Sequence, residues 1–310
     1  MLWTLGAAAL ILIAAGVGLQ VAIARNGPAV LSTIDQISGG PRGAVIAATI
    51  STGDHAAQKL IVWTPEDADT ASSPLPVLLF THGGSWKNGD PDDYGFIGRA
   101  FVPEGFIVVL AGYRLHPDAV YPAMLEDTAA AIGWTRREIA AFGGDPNRIT
   151  IAGHSAGAYN VVMAAMEERW LAAHDMTSAD IAGVIGLSGP YDFVPLDSES
   201  TIASFGHVDE PQQTQPLTHL AEETPMRLPP MLLIHGEKDT LVKPRNSRLL
   251  ADELAHAEAR AVAHFYPQME HNDPLISLAA PWRSRRDVAS RIAGFARSAS
   301  AAGSEPDTAE

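Results

Sequence analysis

Gly153-His154-Ser155-Ala156-Gly157 stands between the apolar run Ile149-Thr150-Ile151-Ala152 and a helix-like run from Tyr159 to Ala165. Strand, sharp turn and helix in that order are the setting of a nucleophile elbow. Glycines two positions either side of Ser155 keep side chains out of the place where strand and helix converge. They also let the serine take a strained backbone with its hydroxyl raised above the sheet. A serine presented in this way names acyl transfer as the reaction class and Ser155 as the nucleophile.

The rest of the chain has the rhythm such an elbow requires. Fully apolar runs recur at Val77 to Phe80, Phe106 to Ala111, Arg148 to Ala152, Ile181 to Leu187 and Met231 to Ile234. Helix-like segments separate them, at Pro122 to Phe142, Ala158 to Ala173 and Pro244 to His256. Strands apolar on both faces that alternate with amphipathic helices predict an α/β fold, a mostly parallel central sheet covered by helices on both sides. Sheets of this kind place their sites beyond the carboxyl ends of the strands.

Ser155 needs a base, and the base needs an acid to orient it. Met231 to Ile234 is followed by His235-Gly236-Glu237-Lys238-Asp239, where Gly236 breaks the strand and Asp239 lies in the loop behind it. Asp239 is the orienting acid; Glu237, the competing carboxylate, sits too near the strand to clear the sheet edge. The next strand, Ala261 to Tyr266, leads into Pro267-Gln268-Met269-Glu270-His271, and His271 completes the chain order Ser, Asp, His. His264, inside that strand, is a poorer base. The oxyanion formed on attack calls for preorganised amides. His82-Gly83-Gly84-Ser85-Trp86, directly after the first apolar strand, supplies them at Gly83, Gly84 and Ser85, and Ala156 adds one at the helix start. His82 reads as a brace for that loop. Trp86 and Tyr191 are the candidate substrate contacts, each with packing as the competing role. No metal-ligand spacing, dinucleotide fingerprint or phosphate loop appears, so no metal and no cofactor is expected.

Composition narrows the partners. The 310 residues carry a formal net charge of −15 and 46% hydrophobic content, with no cysteine. The acidic balance argues against a nucleic-acid partner, and the missing cysteines exclude disulfides and a thiol nucleophile. Leu2 to Ala24 contains no charged residue and is long enough to cross a bilayer. It predicts an N-terminal transmembrane helix over residues 1–25 that holds the enzyme on a membrane with its domain outside the cytoplasm. Cleavage after the small-x-small run Ala22-Ile23-Ala24, giving a secreted protein, is the alternative. Residues 26–43 then read as a tether, 44–297 as the catalytic domain, 190–230 as a cap or lid insertion, and 298–310 as a disordered tail.

With these residues in view the chain resembles the α/β-hydrolase superfamily, and more narrowly its carboxylesterase and hormone-sensitive-lipase-like branch. The resemblance runs from about Gln58 to Arg297. It is carried by the His82-Gly83-Gly84-Ser85-Trp86 loop, Tyr113-Arg114-Leu115, the turn from Phe142 to Arg148, the elbow, Ser188-Gly189-Pro190-Tyr191-Asp192, Asp239 and His271. It implies a serine esterase with a small-molecule ester substrate and an acyl-enzyme on Ser155. Ser85-Trp86 in place of a further glycine leans toward formamidase-like and acetyl- or feruloyl-esterase relatives, so an amide hydrolase of the same fold is the second expectation. A non-catalytic scaffold is a remote third, since such proteins usually lose one of the three residues and none is lost here.

Overall fold

Each apolar run becomes a strand because helices cover the faces it would otherwise expose. In the computed structural model, residues 21–23, 25–39, 43–67, 73–220 and 228–302 are described. Helix α1 spans residues 25–37. Strands β1 (Ala44–Ser51), β2 (Lys59–Pro65) and β3 (Leu75–Thr81) follow, then α2 (Gly95–Phe101) and β4 (Ile107–Ala111). The elements α3 (Ala123–Glu138), β5 (Gly144–His154), α4 (Ala156–Met166), α5 (Glu168–Ala172) and β6 (Gly183–Leu187) make the middle of the chain. After α6 (Glu199–Phe205) come β7 (Met231–Gly236), α7 (Arg245–His256), β8 (Ala261–Tyr266), α8 (Asp273–Ile276) and α9 (Val288–Ala302). The strands form an eight-stranded sheet in the order β1-β2-β4-β3-β5-β6-β7-β8. Pairing is antiparallel between β1 and β2 and between β2 and β4. From β4 through β8 it is parallel.

Alternation along the strands sorts the core into two layers. Leu78, Phe80, Val108, Leu110 and Ile185 face the layer built by α2, α8 and α9. Val77, Leu79, Ile107, Val109 and Val184 face the layer built by α3, α4 and α7. A third cluster gathers Trp86, Tyr113, Met124, Tyr159 and Phe205 at the carboxyl edge of the sheet. It roofs the strand ends from which the candidate residues emerge.

Three expectations about the flanks need correction or placing. The tether over 26–43 is instead largely helix α1, whose Leu31 joins the core and whose Asp35 is fully buried. Asp35 accepts from Arg99 Nε at 2.6 Å and from the Ala280 amide at 2.7 Å, and Arg283 lies at 3.8 Å, so the helix is locked to the domain. At the other end, residues 298–302, expected as disordered tail, are the last turn of α9, with Ala299 and Ser300 buried. Of the anchor expected over 1–25, residues 1–20 and 24 lie outside the described residues, as does the tail beyond 302, while 21–23 and 25 are helical. Among the described residues no helix is long and apolar enough to cross a membrane.

The expected cap at 190–230 is packed rather than loose as far as residue 220; residues 221–227 are not described. Phe205 of α6 is fully buried, its ring 4.9 Å from that of Trp86 and 5.6 Å from that of Tyr159. Ser198 caps α6 through a hydrogen bond from the Thr201 amide at 3.1 Å.

Candidate active site

β5 ends at His154 and α4 begins at Ala156, leaving Ser155 alone in the turn with φ 52° and ψ −119°. A non-glycine residue held there costs on the order of 1–3 kcal/mol, and surrounding structure must hold it. The Ser155 amide does so by donating to Leu187 O at 2.8 Å, which ties the turn to the end of β6. Both flanking glycines are obligatory. A Cβ on Gly153 would sit 2.3 Å from the Gly157 carbonyl carbon, and one on Gly157 would sit 2.2 Å from Thr81 O.

Asp239 and His271 meet Ser155 from the loops after β7 and β8. Ser155 Oγ donates to His271 Nε2 at 2.9 Å, and His271 Nδ1 donates to Asp239 Oδ2 at 2.7 Å. The other carboxylate oxygen accepts from the amides of Leu241 at 3.0 Å and Val242 at 2.9 Å. Burial would raise the Asp239 carboxyl, but the hydrogen bonds from His235 and His271 outweigh it and hold the group well below the usual carboxylate range. Glu237, the rival acid, is turned away and paired with Arg248.

Two histidines that the sequence did not mark as functional complete this network. His235 Nε2 lies 3.1 Å from Asp239 Oδ2 and 2.9 Å from Val242 O, both acceptors, so this nitrogen carries the proton. Its Nδ1 then accepts from Ser247 Oγ at 2.7 Å. A signal was present: His235 precedes Asp239 across one tight turn. His154 Nε2 donates to the His271 carbonyl at 3.1 Å, bracing the loop that carries His271.

His154 and His82 are fully enclosed and neutral. Burial, reinforced by the nearby His271, pushes His154 down to about 3. Burial likewise pushes His82 down to about 4, and its ring stacks on Tyr113 at 4.5 Å while Nδ1 meets Gly83 O at 2.8 Å. Both groups are depressed in the fold and titrate near 6.5 when unfolded. Their stabilising contribution is therefore complete above about pH 6.5 and declines as pH falls toward the folded values. Between pH 7 and pH 5 each is expected to withdraw about 2 kcal/mol. Urea denaturation at the two pH values checks this; equal stability at both would contradict it.

The loop after β3 turns through left-handed backbone at Gly84, Ser85 and Trp86, with φ of 124°, 55° and 57°. A Cβ on Gly84 would sit 1.9 Å from Asn88 O, so only glycine fits. Among the described residues the amides of Gly84, Ser85 and Ala156 make no hydrogen bond within the protein, and all three residues border the space in front of Ser155. Gly83 does not border it; it packs under His154, where an added Cβ would sit 2.9 Å from the His154 carbonyl oxygen.

The two expected substrate contacts separate. Trp86 borders the space before Ser155 while its Nε1 donates to Asn160 Oδ1 at 3.1 Å. Tyr191 does not border it: its ring is fully buried in the core beneath. Gly186 and Gly189 leave the hole that the ring fills; a Cβ on Gly186 would lie 2.0 Å from the Tyr191 hydroxyl. Asn246 anchors this loop, its Oδ1 accepting from the amides of Tyr191 and Asp192 at 2.8 Å each.

Two cavities meet at Ser85 and Ser155. One, of about 410 Å³, has apolar walls from α1 (Val30, Leu31, Ile34), Leu275, Ile276 and Trp282, and includes His271. The other, of about 370 Å³, runs past Ala156 and Trp86 and has mixed walls, in which Asp192, Ser198, Thr201, Lys243 and Arg245 stand among Phe193, Val194 and Pro195. The part played by α1 could not be read from the sequence, where residues 26–43 carry no strong pattern.

This arrangement has relatives. Esterase LipQ of Mycobacterium tuberculosis is 33% identical over 237 residues, 71% of this chain and 54% of LipQ. The isoprenylcysteine alpha-carbonyl methylesterase ICME of Arabidopsis thaliana is 28% identical over 261 residues, 77% of this chain and 59% of that protein. The chain thus spans little more than half the length of these curated relatives. Among solved structures, esterase B from Lactobacillus rhamnosis superposes with a TM-score of 0.74 at 16% identity, covering 92% of this chain and 95% of that one. A thermostable esterase from Pseudomonas putida gives 0.67 at 20% identity, with 91% of each chain covered. At these identities the likeness is one of fold, the α/β-hydrolase fold. The BD-FAE family model matches residues 62–254, more than half of the chain and every strand from β3 through β7, and the chain belongs to that family.

Proposed function

We propose that the protein is a serine hydrolase of carboxylic esters, with Ser155 as nucleophile, His271 as base and Asp239 as the group that orients and stabilises the imidazolium. The observation that carries this reading is the unbroken line from Ser155 Oγ to His271 Nε2 at 2.9 Å and from His271 Nδ1 to Asp239 at 2.7 Å. Ser155 Oγ attacks the ester carbonyl as its proton passes to His271 Nε2. The anionic tetrahedral oxygen is held by the amides of Gly84, Ser85 and Ala156, where one such donor is worth about 10²–10³ in rate. His271 then returns the proton to the leaving alkoxide, releasing the alcohol and leaving an acyl-enzyme. Water, deprotonated by the same nitrogen, repeats the sequence and frees the acid. The relatives named as esterases support the substrate class.

An acyl-enzyme predicts kinetics in two phases. With p-nitrophenyl acetate in stopped flow, a burst close to one p-nitrophenolate per protein is expected before the steady state. The Ser155→Ala variant is expected to show neither burst nor turnover above background. Steady turnover in that variant would overturn the proposal.

A further inference from the structure

The two cavities differ in polarity, and the chemistry of the step decides which half of the ester each receives. This rests on the esterase reading above. The tetrahedral carbon bears Ser155 Oγ, the oxyanion, the alkoxy group and the acyl substituent. The oxyanion is committed to the amides of Gly84, Ser85 and Ala156. The alkoxy oxygen must lie within hydrogen-bonding reach of His271 Nε2, because that nitrogen returns the proton as the C–O bond breaks. His271 walls the first cavity and not the second. The alcohol portion therefore extends into the first cavity, and the acyl substituent, on the side of the carbon away from His271, extends past Ala156 and Trp86 into the second.

We propose that the preferred substrate is an ester of an apolar, chain-like alcohol with a short acid bearing hydrogen-bonding groups. The alcohol cavity is built by Val30, Leu31 and Ile34 of α1 opposite Leu275, Ile276 and Trp282, all apolar. These walls are set in place, since Asp35 one residue beyond Ile34 is fixed by Arg99 and the Ala280 amide. Each methylene transferred from water to such a wall is worth about fourfold in kcat/KM. The acyl cavity is the more polar of the two, setting Ser198, Thr201, Asp192, Lys243 and Arg245 among apolar neighbours such as Phe193 and Val194. Burying bare alkyl among these groups would strip them of water without replacement, whereas a hydroxyl-bearing acid can hydrogen-bond them. α1 is thus a specificity-determining element for the alcohol.

Octyl acetate and ethyl octanoate are isomers that place the same eight-carbon chain on opposite sides of the ester. The full chain is expected to favour octyl acetate by at least tenfold in kcat/KM, and ethyl 3-hydroxybutyrate over ethyl butyrate severalfold. Equal rates for the first pair, or a preference for ethyl octanoate, overturn the assignment of the alcohol; a preference for ethyl butyrate overturns that of the acid. Val30→Trp, which fills the apolar cavity from α1, is expected to cut octyl acetate hydrolysis tenfold or more and to lower the ratio of octyl acetate to ethyl octanoate hydrolysis by a similar factor. Undiminished octyl acetate hydrolysis by this variant would remove α1 from the alcohol site. Cleavage of p-nitrophenyl acetate with no preference between the octyl isomers sinks this inference alone. Failure to cleave p-nitrophenyl acetate at all sinks the esterase reading beneath it.

Discussion

Substituting Asp239 with asparagine is expected to lower kcat about 10⁴-fold with the fold retained, because it leaves His271 in the wrong tautomer. The geometry gives an amide no good way to sit. His271 Nδ1 and His235 Nε2 both donate to Oδ2, while the amides of Leu241 and Val242 both donate to Oδ1. An asparagine NH₂ in the Oδ2 position would confront two donors. His271 then escapes by accepting at Nδ1 and carrying its proton on Nε2, where it points at Ser155 Oγ and cannot take the serine proton. An NH₂ in the Oδ1 position instead confronts two backbone amides and displaces the loop. Initial rates on p-nitrophenyl acetate, with near-ultraviolet circular dichroism to confirm folding, check this. A loss under tenfold would show that Asp239 does not fix the tautomer.

Removing Asp35 as Asp35→Ala is expected to cost about 3–5 kcal/mol, the typical effect of stripping one partner from a buried ion pair. Asp35 has no exposed surface and Arg99 has 9%. Arg99 donates to Asp35 and also to Ser32 O at 3.1 Å and Ser32 Oγ at 3.0 Å, so it stays trapped against α1 after the carboxylate is gone. The Ala280 amide loses its acceptor as well. Urea denaturation measures the loss directly. A change below 1 kcal/mol would mean that α1 is held by its apolar face alone.

The sheet and the meeting of Ser155, His271 and Asp239 at its edge were legible for the same physical reason. A parallel strand buried on both faces must be apolar throughout, so Val77 to Phe80 and Met231 to Ile234 announce themselves locally. The loops that follow them must then carry whatever polar chemistry the protein has. The elbow adds steric necessity, because Gly153 and Gly157 have backbone where a Cβ would stand. What was not legible depends on partners remote in the chain. Residues 26–43 read as tether because the reason for α1 is Asp35 meeting Arg99, 64 residues away, and the Ala280 amide, 245 residues away. The last turn of α9 read as tail because its small residues carry little apolar signal, yet Ala299 and Ser300 are buried. Tyr191 read as a candidate substrate contact with packing as the competing role, and packing holds: the space left by Gly186 and Gly189 takes its ring into the core. His235 was visible beside Asp239, but nothing local says that a strand-end imidazole will turn onto the carboxylate rather than into the core.

The proposed mechanism passes through one covalent bond, between the acyl group and Ser155 Oγ. Quenching the enzyme in acid during turnover of p-nitrophenyl butyrate and mapping its peptides by mass should place a single butyryl group on Ser155. The same experiment on Asp239→Asn should show the adduct forming far more slowly. A butyryl group on another residue, or none on a protein that turns over the ester, would contradict the mechanism.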